Sequence, residues 1–318
     1  MHNRRDFIKK TGLATAILGL GLGGQAISMA PRKELFKISL AQWSVNRLLF
    51  NKKMDNLDFA VLAKKHGISA VEYVNQFFMD KAKDMAYLKE MKTRAEGEGV
   101  TSVLIMCDNE GKLGARDEAE RMQTVENHKK WVEAAKFLGC HSIRVNGYSF
   151  TRFSADKKDF AESQKLVADG LQSLCEFADT MGINVMIENH GGFSSDAKWL
   201  SGVIKAADHP RAGTLPDFGN FLMYREEGEK TLSYDSYKGV KQLMPYAKGV
   251  SVKPTVWDGK GNQSQLDYEK MLSIVLKAGY HGYCGIEHGE QGRIWESIVE
   301  VREELEAAEK ALRSSFSV

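Results

Sequence analysis

Three stretches of this chain share one design: a short apolar run, an acid at its end and a glycine-bearing loop behind it. They are Val185-Met186-Ile187-Glu188-Asn189-His190-Gly191-Gly192, Thr214-Leu215-Pro216-Asp217-Phe218-Gly219-Asn220 and Tyr283-Cys284-Gly285-Ile286-Glu287-His288-Gly289. Each run is too short for a helix and has the length of a strand buried on both faces, as in a parallel sheet covered by helices. Three carboxylates on neighbouring strand ends would repel and raise one another's pKa unless positive charge lay between them. The repetition therefore points to a cation.

The rest of the chain alternates in the same way. Strand signals fall at 36–43, 70–73, 100–107, 142–146, 185–188, the run ending at Asp217, 247–253 and 283–287. Helical signals fall between them, at 57–66, 80–96, 117–138 with Gly139 as a stop, and 155–181. They continue from the Ser194-Ser195-Asp196 cap to Ala207, then at 234–244 and 267–278. A final stripe of Ile294, Ile298, Val301, Leu305, Ala308 and Leu312 marks a last amphipathic helix. Eight such units, each crossover long enough for a helix, imply parallel strands and an α/β fold, a single (β/α)8 TIM barrel. An open doubly wound sheet would need a glycine fingerprint after its first strand, and Ala41-Gln42-Trp43-Ser44 has none. In a barrel the C-terminal strand ends converge on one mouth. Glu72, Asp108, Asn146, Glu188, Asp217, Lys253 and Glu287 all fall there, whereas the opposite ends offer only Lys37, Cys140 and Gly282. That asymmetry argues for an enzyme.

The first thirty residues read as a targeting segment. Arg4-Arg5-Asp6-Phe7-Ile8-Lys9 has the form of a twin-arginine signal, an apolar stretch follows over 13–27, and Ser28-Met29-Ala30 offers a cleavage site. The expectation is a periplasmic protein whose barrel occupies 31–318. An uncleaved anchor is the alternative, but the stretch is glycine-rich and short for a bilayer span, and no other segment is suited to one. Removing the four basic residues and one acid of residues 1–30 leaves 40 basic against 41 acidic, a formal charge of −1. Nucleic acid is therefore not expected as the main partner. Cys107, Cys140, Cys175 and Cys284 lack metal-ligand spacing and read as buried thiols. A homo-oligomer stays open.

The segments IENHGG, LPDFGNF, KGVSVKP and GIEHG, on the fifth to eighth strands, are the most specific signals. They resemble the xylose isomerase-like barrel superfamily, in its group of sugar phosphate isomerases and epimerases, and the likeness covers the whole of 31–318. The resemblance implies a divalent metal, Mn²⁺ or Mg²⁺, held by strand-end Glu, Asp, His and Glu; here Glu188, Asp217 and Glu287 take the acid roles. The seventh-strand histidine is missing. The inward residues there are Gly249, Ser251 and Lys253, so Ser251 or a water would complete the shell. Lys253 either brings positive charge that partly replaces the metal or pairs with Asp217 or Glu287.

The chemistry implied by the resemblance is proton abstraction beside the carbonyl of a small-molecule carbohydrate, through an enediolate. Glu188 and Glu287 would form the acid/base pair and Asp217 would act as ligand only. Lys253 and His190 could hold charge on oxygen, Asn220 and Glu72 could bind hydroxyls, and Trp43 could wall a sugar ring. A structural role stands beside each of these readings, and His288 reads as an ordinary loop histidine. A lyase or hydratase on an oxidised glycoside, and a carbohydrate-binding barrel with lapsed catalysis, are the alternatives to a metal-dependent isomerase or epimerase.

The export reading is directly testable. Replacing Arg4 and Arg5 together by lysine should leave uncleaved precursor in the cytoplasm on cell fractionation. Normal export of that variant would mean another route is used.

Overall fold

The computed structural model describes residues 34–225 and 231–316; the expected export signal lies outside them. Eight strands form one sheet: β1 (Lys37–Ala41), β2 (Ala70–Val74), β3 (Thr101–Met106), β4 (Ser142–Asn146), β5 (Asn184–Glu188), β6 (Ala212–Leu215), β7 (Val250–Val252) and β8 (Tyr283–Ile286). They run β6-β5-β4-β3-β2-β1-β8-β7, with every neighbouring pair parallel. Parallel bridges Thr214↔Ala247 and Asp217↔Ser251 join β7 back to β6. The strands thus form the barrel expected from the alternation, and the second bridge places Asp217 beside Ser251.

Among the described residues, besides a short helical turn at Asn46–Phe50, eight helices surround it: α1 (Phe59–Lys65), α2 (Met85–Gly97), α3 (Glu118–Leu138), α4 (Lys157–Asp179), α5 (Ala197–Ala207), α6 (Ser236–Leu243), α7 (Tyr268–Lys277) and α8 (Ile294–Leu312). An aspartate caps each of α2 to α7: Asp84, Asp117, Asp156, Asp196, Asp235 and Asp267 accept backbone N–H groups of the first turn. Such caps contribute about 0.5–2 kcal/mol each and fix where each loop hands over to its helix. Gly139, at φ 85°, ends α3 as the sequence suggests.

Most apolar side chains lie between sheet and helices, and a smaller cluster including Val103, Leu104, Met106, Met186 and Leu215 fills the barrel itself. One interior layer is made of small residues: Ser39 pairs with Gly285, which pairs with Ser251. The carboxyl group of Glu72 fills that space. A Cβ on Gly285 would lie 2.3 Å from Glu72 Oε1, so no larger residue fits there without moving Glu72. All four cysteines are buried free thiols.

The structure departs from the sequence expectation at the seventh strand, only Val250–Val252, at the helix expected from 80, which begins at Met85, at the first strand and in two loops. The first strand stops at Ala41, and Gln42–Val45 turns into a 3-10 helix that carries Trp43 into the loop. Two small antiparallel ribbons, Leu222–Tyr224 with Leu232–Ser233 and Thr255–Trp257 with Gln263–Gln265, occupy stretches that carry no strand signal in the sequence. Gln263-Ser264-Gln265 has no apolar alternation to reveal a strand; it is held by pairing alone.

Leu171 of α4 is fully buried against the sheet. Leu171→Ala should lower unfolding free energy by about 2–5 kcal/mol, measured by urea titration. A loss under about 1 kcal/mol would show that the helix–sheet layer can collapse around the gap.

Candidate active site

Carboxylate oxygens of Glu188, Asp217 and Glu287 lie within 4.8 Å of one another at the strand ends of β5, β6 and β8. The backbone holds this arrangement through Asn189. Its Oδ1 accepts from Asp217 N at 2.8 Å, while its Nδ2 donates to the carbonyls of Asp217 (2.9 Å) and Asn220 (3.2 Å). Asp217 Oδ1 in turn accepts from the backbone N–H groups of Gly219 (2.7 Å) and Asn220 (2.8 Å). Asn189 thus ties the β5 and β6 loops together, a role the sequence reading did not assign.

Two cations sit among the acids. Lys253, directly after β7, donates from Nζ to Asp217 Oδ2 at 2.5 Å and to Glu287 Oε1 at 2.7 Å. Ser251 Oγ lies 2.9 Å from the same Asp217 oxygen and 3.2 Å from Glu287 Oε2. Arg144, in the middle of β4, places Nε 2.9 Å from Glu188 Oε2 and Nη1 2.7 Å from Asp108 Oδ1. Asn220 Nδ2 donates to Glu188 Oε1 at 2.9 Å. The site is thus two linked ion-pair networks, Asp217–Lys253–Glu287 and Glu188–Arg144–Asp108.

The charge states follow from these partners. Burial pushes Asp217 up to about 6, against the pull of Lys253, which leaves it ionised at neutral pH. Burial also opposes ionisation of Glu287, but the Lys253 ammonium more than offsets this and holds it below the usual carboxylate range. Glu188 is raised, mainly by burial, with Arg144 opposing. Burial disfavours the charged form of Lys253, yet its carboxylates outweigh that and keep it protonated.

The other expected residues divide. His190 borders a cavity of about 580 Å³ with Asn220, Arg152, Phe153, Tyr224 and Trp257. Its Nδ1 lies 3.2 Å from the Tyr148 hydroxyl, and burial, with nearby Arg144, lowers its pKa to about 4. Trp43 stands across the mouth, lining a second cavity of about 340 Å³ with Lys253, Glu287 and His288. Glu72 is not at the mouth. It lies in the barrel interior, 1% exposed, accepting from Ser39 Oγ at 2.6 Å, and burial raises its pKa to about 8. The expectation that it meets a ligand hydroxyl is therefore not matched by its position. Arg144 was missed, although Ser142, Arg144 and Asn146 alternate along a strand whose five residues are all buried. A charge in such a strand is the signal that could have found it.

The triad has the oxygen donors that a hard divalent ion prefers, close enough together to share one. Two of their oxygens, however, are already bridged by the Lys253 ammonium. The single Ser251 O–H can serve only one of Asp217 Oδ2 and Glu287 Oε2, Asp217 Oδ1 serves two backbone groups, and Glu188 accepts from Asn220 while its Oε2, 2.9 Å from Arg144 Nε, has no hydrogen-bond partner among the described residues. An ion at coordination distance from Asp217 Oδ2 and Glu287 Oε1 would have to displace the ammonium.

Glu72 supplies a pH test independent of any ligand. Its folded pKa is raised from 4.5 to about 8, so its protonated form favours the fold below pH 4.5 and that contribution is lost as pH rises toward 8. Glu72→Gln keeps an acceptor for Ser39 and removes the titration. Between about pH 5 and 8 the parent should lose stability relative to the variant by up to about 1.4 kcal/mol per pH unit, read by urea unfolding. A constant difference across that range would reject the assignment.

Comparison with known proteins gives consistent matches. A family model described as xylose isomerase-like TIM barrel matches residues 60–314. L-ribulose-5-phosphate 3-epimerase UlaE of Escherichia coli strain SMS-3-5 is 22% identical over 240 residues, 70% of this chain and 78% of that protein. The UlaE of strain K12 is 23% identical over 199 residues, 58% of this chain, and the chain spans only 63% of its length. The structure of 3-keto-D-glucoside 4-epimerase YcjR from E. coli covers 86% of this chain and 100% of its own, at 16% identity and a TM-score of 0.62. A Mycobacterium smegmatis barrel protein in complex with magnesium covers 88% and 99%, at 15% identity and a TM-score of 0.65. At these identities the structural likenesses speak for the fold alone. Because the family model matches most of the chain, this protein belongs to the xylose isomerase-like TIM barrel family.

Proposed function

We propose that the chain is a sugar isomerase or epimerase that moves a proton on a carbon beside a carbonyl. The observation that carries this reading is the pair of mouth carboxylates, Glu188 and Glu287, brought together beside Asp217 with the Lys253 ammonium held on Glu287. The naming of relatives as sugar epimerases supports the same class. Glu287 borders the smaller cavity beside Trp43, while Glu188 lies behind Asn220, which with His190 borders the larger one. A keto sugar held between them would present its two faces to the two acids. One carboxylate takes the carbon-bound proton and the electron pair moves onto the carbonyl oxygen. The other side returns a proton to the carbon.

Lys253 holds the developing oxyanion, and His190, neutral at physiological pH, donates to it from Nε2 when Tyr148 donates to Nδ1. Asp217 keeps Lys253 in place, and Trp43 packs against the sugar. The Mn²⁺ or Mg²⁺ expected from the resemblance enters no step here, because the ammonium already bridges two of its ligands. The substrate is met outside the cytoplasm if the signal at Arg4-Arg5 is used, which favours an unphosphorylated sugar. The breadth of the larger cavity favours a second reading, in which the same proton abstraction on a keto-glycoside is followed by loss of a β-substituent.

Glu188→Gln and Glu287→Gln retain size and an oxygen acceptor but remove the base. Each should cut inversion of the substrate's carbon centre by about 10²-fold or more, followed with hydrogen–deuterium exchange by NMR on keto sugars and keto-glycosides. One variant should still wash in deuterium on its intact face without inverting the centre. Full exchange in both would place the bases elsewhere.

A further inference from the structure

We propose that Lys253 is the resident cation of this site: its ammonium stands where a divalent ion would bridge Asp217 and Glu287, and the chain works without a bound metal. The inference rests on the proton-transfer reading above for its chemistry, but its main test does not.

Three observations carry it. The first is exclusion. Lys253 Nζ lies 2.5 Å from Asp217 Oδ2 and 2.7 Å from Glu287 Oε1. An oxygen-coordinated divalent ion needs those atoms at about 2.0–2.6 Å, so ion and ammonium cannot share them. The second is the residue that would complete a metal shell. Ser251 lies beside Asp217 across the bridge that joins β7 to β6. Its hydroxyl lies within hydrogen-bond distance of both carboxylates, where it supports the ammonium instead of offering a strong ligand.

The third is that the lysine arm has a prepared path. Gly219 lies against it so closely that a Cβ there would come 3.0 Å from Lys253 Cβ and 3.1 Å from Cδ, and 2.9 Å from the Thr255 carbonyl. The Trp257 indole holds the Gly219 carbonyl at 3.0 Å. A bare Cα in the β6 loop, pinned by a buried tryptophan, thus makes room for a lysine stem in one conformation. A surface lysine that had merely fallen onto two acids would not need this.

The arrangement also leaves a donor for chemistry. An ammonium has three N–H bonds. Two are spent on the carboxylates, and the third has no partner among the described residues, while Lys253 lines the cavity shared with Trp43 and Glu287. It can donate to a carbonyl oxygen there. As a carboxylate removes the neighbouring proton, the negative charge that moves to that oxygen is met by this fixed donor. Proton and charge balance within the chain's own groups, with no Lewis acid required.

The test measures metal first. Full-length protein purified from medium supplemented with Mn²⁺ should hold far less than one equivalent of divalent metal by mass spectrometry. Titration with Mn²⁺ alone, followed by electron paramagnetic resonance, should show weak binding. Lys253→Ala and the better-packed Lys253→Met each leave Asp217 and Glu287 without their bridging cation, and should bind Mn²⁺ on the order of 10²-fold more tightly than the parent. Lys253→Arg retains the charge and should stay metal-poor. One tightly held ion in the parent, or an affinity unchanged by both neutral substitutions, would overturn the proposal. If both neutral variants fail to fold, the parent's metal content decides alone. A second arm asks whether EDTA leaves hydrogen–deuterium exchange on a turned-over keto sugar intact; inhibition reversed by Mn²⁺ would also overturn it. A metal-free protein that acts on no sugar would keep Lys253 as the resident cation and reject only the reading of Proposed function.

Discussion

The site depends on the ammonium of Lys253 lying between Asp217 and Glu287. Three acids drawn from β5, β6 and β8 could not stay ionised so near one another without buried positive charge, because each is stripped of water and exposed to the others' fields. Lys253 and Arg144 supply that charge from opposite sides of the mouth, one from the end of β7 and one from the middle of β4. Removing either would leave an uncompensated carboxylate in a closed space, the costliest defect a barrel mouth can carry.

The scaffold places these groups through ordinary local rules. Aspartate caps set the start of six helices, and hence where the loops hand the chain back to the barrel ring. The Asn189 staple fixes the β6 loop against the β5 loop, so that Asp217 faces β7. Small residues are used for room: Gly285 for the Glu72 carboxyl and Gly219 for the lysine stem. In each case the glycine matters because something else must occupy the space a side chain would take.

Below the mouth lies a fourth carboxyl group with a different state. Glu72 shares the interior with Ser39 and Gly285, and burial keeps it protonated at neutral pH. Its proximity to Glu287 and Glu188 adds to that shift, so the barrel holds Asp217 and Glu287 ionised at its mouth and a neutral acid beneath. The difference arises from partners: the mouth acids have cations, whereas Glu72 has a hydroxyl.

The alternation of short apolar runs with amphipathic stretches made the barrel legible in the sequence, because parallel strands and covering helices impose periods that apolar side chains must follow. The acids at the strand ends were legible for the same reason, since strand direction alone decides which end they occupy. The two small ribbons were not, because their residues carry no alternation and exist as strands only through pairing. Nor was the state of the acids. That Lys253 would bridge two of them, that Arg144 would reach Glu188 from β4, and that Glu72 would sit inside the barrel depend on distances across strands far apart in the chain. Periodicity reports which face a side chain is on. Only the closed barrel decides what it meets there, and charge pairing, being a matter of ångströms between non-neighbours, is settled by that closure.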